Sequence, residues 1–113
     1  MISYGVAIFL SMAAAGNPLD DARKAYNNCL VELHNKNVDA KTSASGFRKA
    51  AEENCTDERK AYIDIMIAEE KRYGSSQAEA TEYATEEADA VSGSITSAYA
   101  ENADKSIKLI PEP

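Results

Sequence analysis

The sequence predicts an all-α protein, a small antiparallel bundle of about four helices closed by one disulfide. Three observations predict it. Apolar residues recur at spacings of three and four, and no segment alternates with the period of two that a strand requires. Helix start and stop residues punctuate those segments at the expected places. The chain holds only two cysteines, Cys29 and Cys55, one within the apolar face of the first segment and one at the end of the second.

The first helical segment opens at Asn17-Pro18, with Asn suited to the N-cap, Pro to the first helical position, and Asp20-Asp21 to the positive end of the helix dipole. Ala22, Ala25, Tyr26, Cys29, Leu30 and Leu33 make its apolar face, which fades in His34-Asn35-Lys36-Asn37. His34 is therefore expected near the end of this helix, as a cation favoured by the dipole. A second, shorter segment is expected from about Ser45 to Cys55. Thr56 is the expected N-cap of a third, whose face of Tyr62, Ile65, Met66 and flanking Ile63 and Ile67 predicts the most buried helix. Gly74 is placed to stop it. Ser76-x-x-Glu79 has the form of a capping box and starts a fourth segment reaching to about Asp104. In that segment Ala84, Ala88, Val91, Ile95 and Ala98 step along one seam of mostly small residues, a candidate face for a homodimer. Ser92-Gly93-Ser94 interrupts the seam, where a break or kink is expected. Residues 107–113 read as a tail that docks through Ile107, Leu109 and Ile110.

Residues 1–15 are set apart from this pattern. They carry no charged side chain, and the apolar run Tyr4 to Leu10 is followed by Ala13-Ala14-Ala15. An apolar stretch ending in an Ala-x-Ala pattern is the signature of a secretory signal peptide, although the usual Lys or Arg before the run is missing. It is shorter than the roughly 20 residues needed to span a bilayer. The expected organisation is thus a signal peptide over 1–15, a helical domain over 16–106 and the tail. Export, to a periplasmic or secreted location, places Cys29 and Cys55 where a disulfide persists. Closing that loop stabilises the fold by roughly 3 kcal/mol in the chain-entropy picture.

Charge narrows the function classes. The net charge of −7 argues against nucleic acid or an anionic membrane surface as partner, since both select a cationic face. No basic residue lies between Arg72 and Lys105, and Glu79, Glu82, Glu86 and Asp89 recur three, four and three residues apart. They form one acidic stripe, read as a solvated face, as a docking face for a basic protein partner, or as a surface that changes as its carboxylates protonate. Bases fall instead in adjacent pairs earlier in the chain, such as Arg23-Lys24 and Arg59-Lys60.

Chemistry-bearing motifs are missing from the sequence. There is one histidine, no second metal-ligand set, no phosphate-binding glycine loop and no nucleophile elbow. His34 with Met66 is the one pair that haem ligation could use, and a Met on an apolar helix face is ordinarily core. No catalytic residue, metal or cofactor is expected. The leading expectation is a non-enzymatic protein of the bacterial envelope or extracellular space, acting through protein–protein binding or a structural role. In general character, as a short, acidic, helical, exported chain with two cysteines, it is similar to small periplasmic acid-stress chaperones. That likeness implies a pH-responsive alternative. A small-ligand carrier is a further alternative, disfavoured because alanine-rich packing leaves little room.

Overall fold

A computed structural model describes residues 17–113. The signal-peptide expectation lies outside the described residues. Among the described residues four α-helices follow one another: α1 (Pro18–Asp39), α2 (Ala44–Glu53), α3 (Thr56–Arg72) and α4 (Gln77–Asn102). A 3-10 turn, Ala103–Lys105, leads into an extended segment. No strand occurs among the described residues, and no helix there is long and apolar enough to cross a membrane.

The helix ends show why the segments start and stop where they do. Asn17 Oδ1 accepts the Leu19 N–H at 2.9 Å, with Pro18 at the first helical position. Ser76 Oγ accepts the Glu79 N–H and Glu79 Oε1 accepts the Ser76 N–H, both at 3.1 Å, so the capping box closes reciprocally. Gly74 adopts φ 105°, a backbone region that costs a side-chain-bearing residue dearly. Two starts differ from expectation. α2 begins at Ala44, slightly before the expected Ser45, with Ser43 as its cap accepting the Gly46 N–H at 3.1 Å. Thr56 is the first residue of α3, and Cys55 occupies the cap position with a left-handed φ of 60°. Its sulfur is bonded to Cys29, so its side chain is not free to cap.

The disulfide sets Cys29 and Cys55 at a Cα separation of 5.9 Å, joining the middle of α1 to the start of α3. From there α3 runs back, so that Met66 shares a groove with Leu19 at the start of α1. Tyr83, early in α4, lines the same groove, while the Tyr99 hydroxyl late in α4 bonds the Asn37 carbonyl near the end of α1. The three long helices therefore run up, down and up, with α2 laid across the far end. The structure is the expected small helical bundle closed by one disulfide.

Two helices supply most of the core. Tyr26, Leu30, Val31, His34 and Val38 are buried from α1, and Ala80, Ala84, Ala88, Ile95 and Tyr99 from α4. From α3 only Tyr62 and Met66 are buried, which corrects the expectation that this helix is the most enclosed. Its isoleucines at 63, 65 and 67 point in too many directions to share one interface, and all three stay half-buried.

The far end of the bundle is aromatic. Phe47 stacks on Tyr99 with ring centroids 4.3 Å apart, and His34 meets both rings edge-on, at 6.0 Å from Phe47 and 5.3 Å from Tyr99. The Tyr99 hydroxyl lies in hydrogen-bond reach of the carbonyls of Asn37 and Thr42, holding the turn between α1 and α2. His34 is consequently not near a helix end. α1 continues to Asp39, because His34 and Val38 extend the four-residue step begun by Tyr26 and Leu30.

Gly93 does not break α4, which is continuous through it. A Cβ built there would meet nothing within 4 Å. Gly93→Ala is therefore expected to raise stability by about 0.5–1 kcal/mol, through helix propensity and a less flexible unfolded chain. Urea unfolding checks it, and a variant less stable than wild type would show that the glycine has a packing role.

Candidate functional site

The acidic stripe lies on the outer face of α4, opposite the core line. Glu79, Glu82, Glu86 and Asp89 are all exposed. Their surroundings differ. Glu79 belongs to the capping box, where bonds first from the Ser76 backbone and then from its side chain hold the carboxyl below its ordinary range. Asp89 accepts from Arg59 at 2.7 Å, and Arg59 also donates to the Tyr26 hydroxyl at 3.2 Å. Glu82 and Glu86 make no ion pair among the described residues. One base of the earlier pairs thus reaches the stripe, and the middle of the stripe faces solvent.

The small-residue seam faces the other way. Ala84, Ala88 and Ile95 are buried within the chain, and Val91 and Ala98 are half-buried beside them. Their small size lets α4 approach α1 and α3 closely. In this fold the three buried members present no surface to a second copy.

A groove of about 260 Å³ opens where α1 starts, α3 ends and α4 starts. Its apolar residues are Leu19, Tyr62, Met66 and Tyr83, and its carboxylates are Asp20, Glu69, Glu70 and Glu87. Arg23 is the one basic residue that lines it. Burial, and next the Glu87 carboxylate, push the Tyr62 phenol above its ordinary value, against the opposing effect of Arg23. Tyr83, at 44% exposure, and Tyr73, at 77%, leave large aromatic surface at this same end of the bundle. Sequence periodicity did not find this groove, because three elements far apart in the chain build it.

A second, more polar cleft of about 370 Å³ lies between Tyr26, Arg48, Glu52, Arg59, Asp89 and Thr96, with Gly93 at its wall. Its charges alternate in sign, two arginines against two carboxylates, and so offer no net field to a charged ligand. At the disulfide, ligand atoms of Cys29, Cys55 and Glu58 lie within 4.8 Å of one another. Both sulfurs are bonded to each other and offer no thiolate, so these residues do not form a metal site in the oxidised protein.

The 107–113 segment runs antiparallel along α1. Lys108 pairs with Asp39 at 3.0 Å, Asn35 brackets the backbone of Leu109, and Asn28 brackets that of Glu112. Arg23 clamps the Glu112 carboxylate with two bonds of 2.8 Å. Of the three expected docking residues only Leu109 packs on the core, whereas Ile107 is 46% and Ile110 88% exposed. Asn35 is held by Leu109 so that its Oδ1 accepts; its 2.9 Å contact with His34 therefore makes Nδ1 the protonated nitrogen of the imidazole. Among the described residues, His34 Nε2 is buried without a hydrogen-bond partner.

The hydrogen bonds from Arg23 hold the Glu112 carboxyl below its ordinary 4.5. A carboxyl lowered by folding contributes stability above its unfolded value and loses it as pH falls through the lower, folded value. The segment is thus expected to stay docked through neutral pH and to loosen only below about pH 4.5. Amide resonances of Leu109 and Glu112 followed in an acid titration check this. Glu112→Gln is expected to remove the acid step, and release of the wild-type segment near neutral pH would contradict the assignment.

No family model matches the chain, and neither a curated protein nor a solved structure matches it.

Proposed function

We propose that this is an exported, non-enzymatic binding protein that docks a basic segment of a protein partner at the groove between α1, α3 and α4. One observation carries the reading: an apolar floor of Leu19, Tyr62 and Met66 is rimmed by Asp20, Glu69, Glu70 and Glu87. Such a site suits a Lys or Arg side chain, whose aliphatic stem lies on the floor while its charge meets the rim. Tyr83 at the edge is of the type enriched in interface cores. The solvent-facing Glu82 and Glu86 extend the negative field along α4 and would steer a cationic partner inward.

Export is supported by the apolar, uncharged run over residues 1–15 and by the Cys29–Cys55 disulfide, which suits an oxidising compartment such as the periplasm or the extracellular space. A lysine-rich amphipathic peptide titrated into isotopically labelled protein tests the docking site. Shifts are expected at Leu19, Met66, Tyr83 and Glu87, weakening with salt and lost in Glu69→Lys/Glu87→Lys. Shifts spread evenly over the acidic residues would mark diffuse charge attraction and defeat the reading.

A second reading, a pH-responsive chaperone-like protein, is supported by one specific feature. A carboxylate, Glu112, holds the extended segment over α1, so acid would uncover the seat of Leu109. Suppression of client aggregation at acid pH alone supports it; equal activity at neutral pH removes it.

A further inference from the structure

We propose that the face of α1 bearing Arg23, Asn28 and Asn35 is a recognition track for an extended peptide, and that the 107–113 segment fills it in cis. The occupant it would take in trans is a partner segment with an aliphatic residue, an acidic residue three positions on, and proline between them.

The match of two periodicities carries the inference. Each asparagine amide acts as a piece of backbone. Asn35 Nδ2 donates to the Leu109 carbonyl and its Oδ1 accepts the Leu109 N–H, both at 2.9 Å. Asn28 treats Glu112 identically, at 2.9 and 2.8 Å. Seven helical residues separate the asparagines, a rise of about 10.5 Å. Three residues separate Leu109 from Glu112, about 10 Å in an extended chain. Two turns of helix therefore keep step with three residues of the extended segment.

The same register sets which side chains are read. Leu109 and Glu112 are half-buried on α1 while Ile110 and Pro111 are exposed. Pro111 restricts Ile110 to extended backbone, and its missing N–H falls at a position that no asparagine addresses. Arg23 reads the acidic residue by a two-bond fork. The main-chain bonds are indifferent to sequence, so specificity lies in the apolar seat and the Arg23 fork, as in other modes that recognise an extended peptide.

The cis occupant is held chiefly by polar contacts. Only one of its aliphatic side chains is seated, and it departs from α4 through Ser106, a non-glycine residue with φ 55°. Tethering keeps it in place, because a short link gives it a high effective concentration. This site shares Arg23 with the acidic groove but reads the opposite charge, and its test also turns on Leu109, Glu112 and their three-residue register, which the groove does not involve.

The experiment uses the full chain carrying Leu109→Asp and Glu112→Lys, which vacates the track without touching the helices, with an unchanged far-UV circular dichroism spectrum as the fold control. The probe is a fluorescent peptide of residues 108–113. It is expected to bind this variant at least ~10-fold more tightly than wild type, where the cis segment competes. Adding Arg23→Ala should abolish the difference, as should a peptide with one residue inserted between leucine and glutamate. On wild type, millimolar unlabelled peptide should shift the Leu109 and Glu112 amide resonances. Equal affinity for variant and wild type, indifference to the inserted residue, or no shift on wild type would each overturn the proposal. A wild-type mass that rises with concentration, and no longer does so in the vacated variant, would make a second copy the occupant and overturn the partner assignment.

Discussion

Removing the Cys29–Cys55 bond, by reduction or by a Cys29→Ala/Cys55→Ala variant, is expected to cost about 3 kcal/mol of stability through the freed unfolded chain. In a domain of this size that lowers the melting temperature by about 12–25 °C. The bond closes a loop spanning 26 residues, which contains all of α2 and its two connections. α2 is short and contributes only Phe47 and Ala51 to the buried core, so of the elements in the loop it depends most on the bond. The reduced protein is accordingly expected to lose hydrogen-exchange protection in α2 before α1 and α4. Urea unfolding with and without reductant measures the first effect. A difference below about 1 kcal/mol would mean that the packing of Phe47 alone secures the loop.

Tyr99→Ala is expected to cost about 3–5 kcal/mol, the range for losing a fully buried large aromatic ring. The ring is fully buried, stacks on Phe47 and closes the edge of His34, so its loss opens a cavity at the point where α1, α2 and α4 meet. Tyr99→Phe separates the ring from its hydroxyl. It retains the stack but strips the donor from the carbonyls of Asn37 and Thr42, at about 1–3 kcal/mol. Equal losses in the two variants would show that the hydroxyl, and not the ring, holds this end together. Chemical denaturation of both, with the disulfide intact, decides between them.

How far the sequence could be read depended on the kind of signal. Local chemistry was legible: Asn17-Pro18, Gly74 and the Ser76–Glu79 box each satisfy backbone groups within a few residues, so their spacing alone identifies them. The pairing of the only two cysteines was legible for the same reason of economy. Burial was less so. The seam from Ala84 to Ala98 is visible as a periodicity, but a periodicity does not say whether α1 or a second molecule covers it. His34 read as a cation at a helix end because its neighbours are polar, whereas Phe47 and Tyr99, distant in sequence, enclose it. α3 carries many apolar residues, and only their angular spread reveals that few can be interior.

The binding surfaces were hardest to see. The acidic groove joins residues from three helices, and no window of sequence contains it. The track on α1 is built of asparagines, which ordinarily mark turns and caps and here stand in for backbone along an extended segment. Their seven-residue spacing is a usable signal when a proline-containing segment with inward residues three apart follows elsewhere in the chain.

The most direct measurement of the central claim, an exported and disulfide-closed binding protein, is a native-condition mass spectrum of the protein from its own host's secreted or periplasmic fraction. Expected is a chain shortened at the end of the Ala13–Ala15 run, lighter by the hydrogens lost in forming one disulfide, and carrying a basic protein that leaves at high salt. A reduced chain still beginning at Met1, recovered only from inside the cell, would contradict both the export and the site proposed to act there.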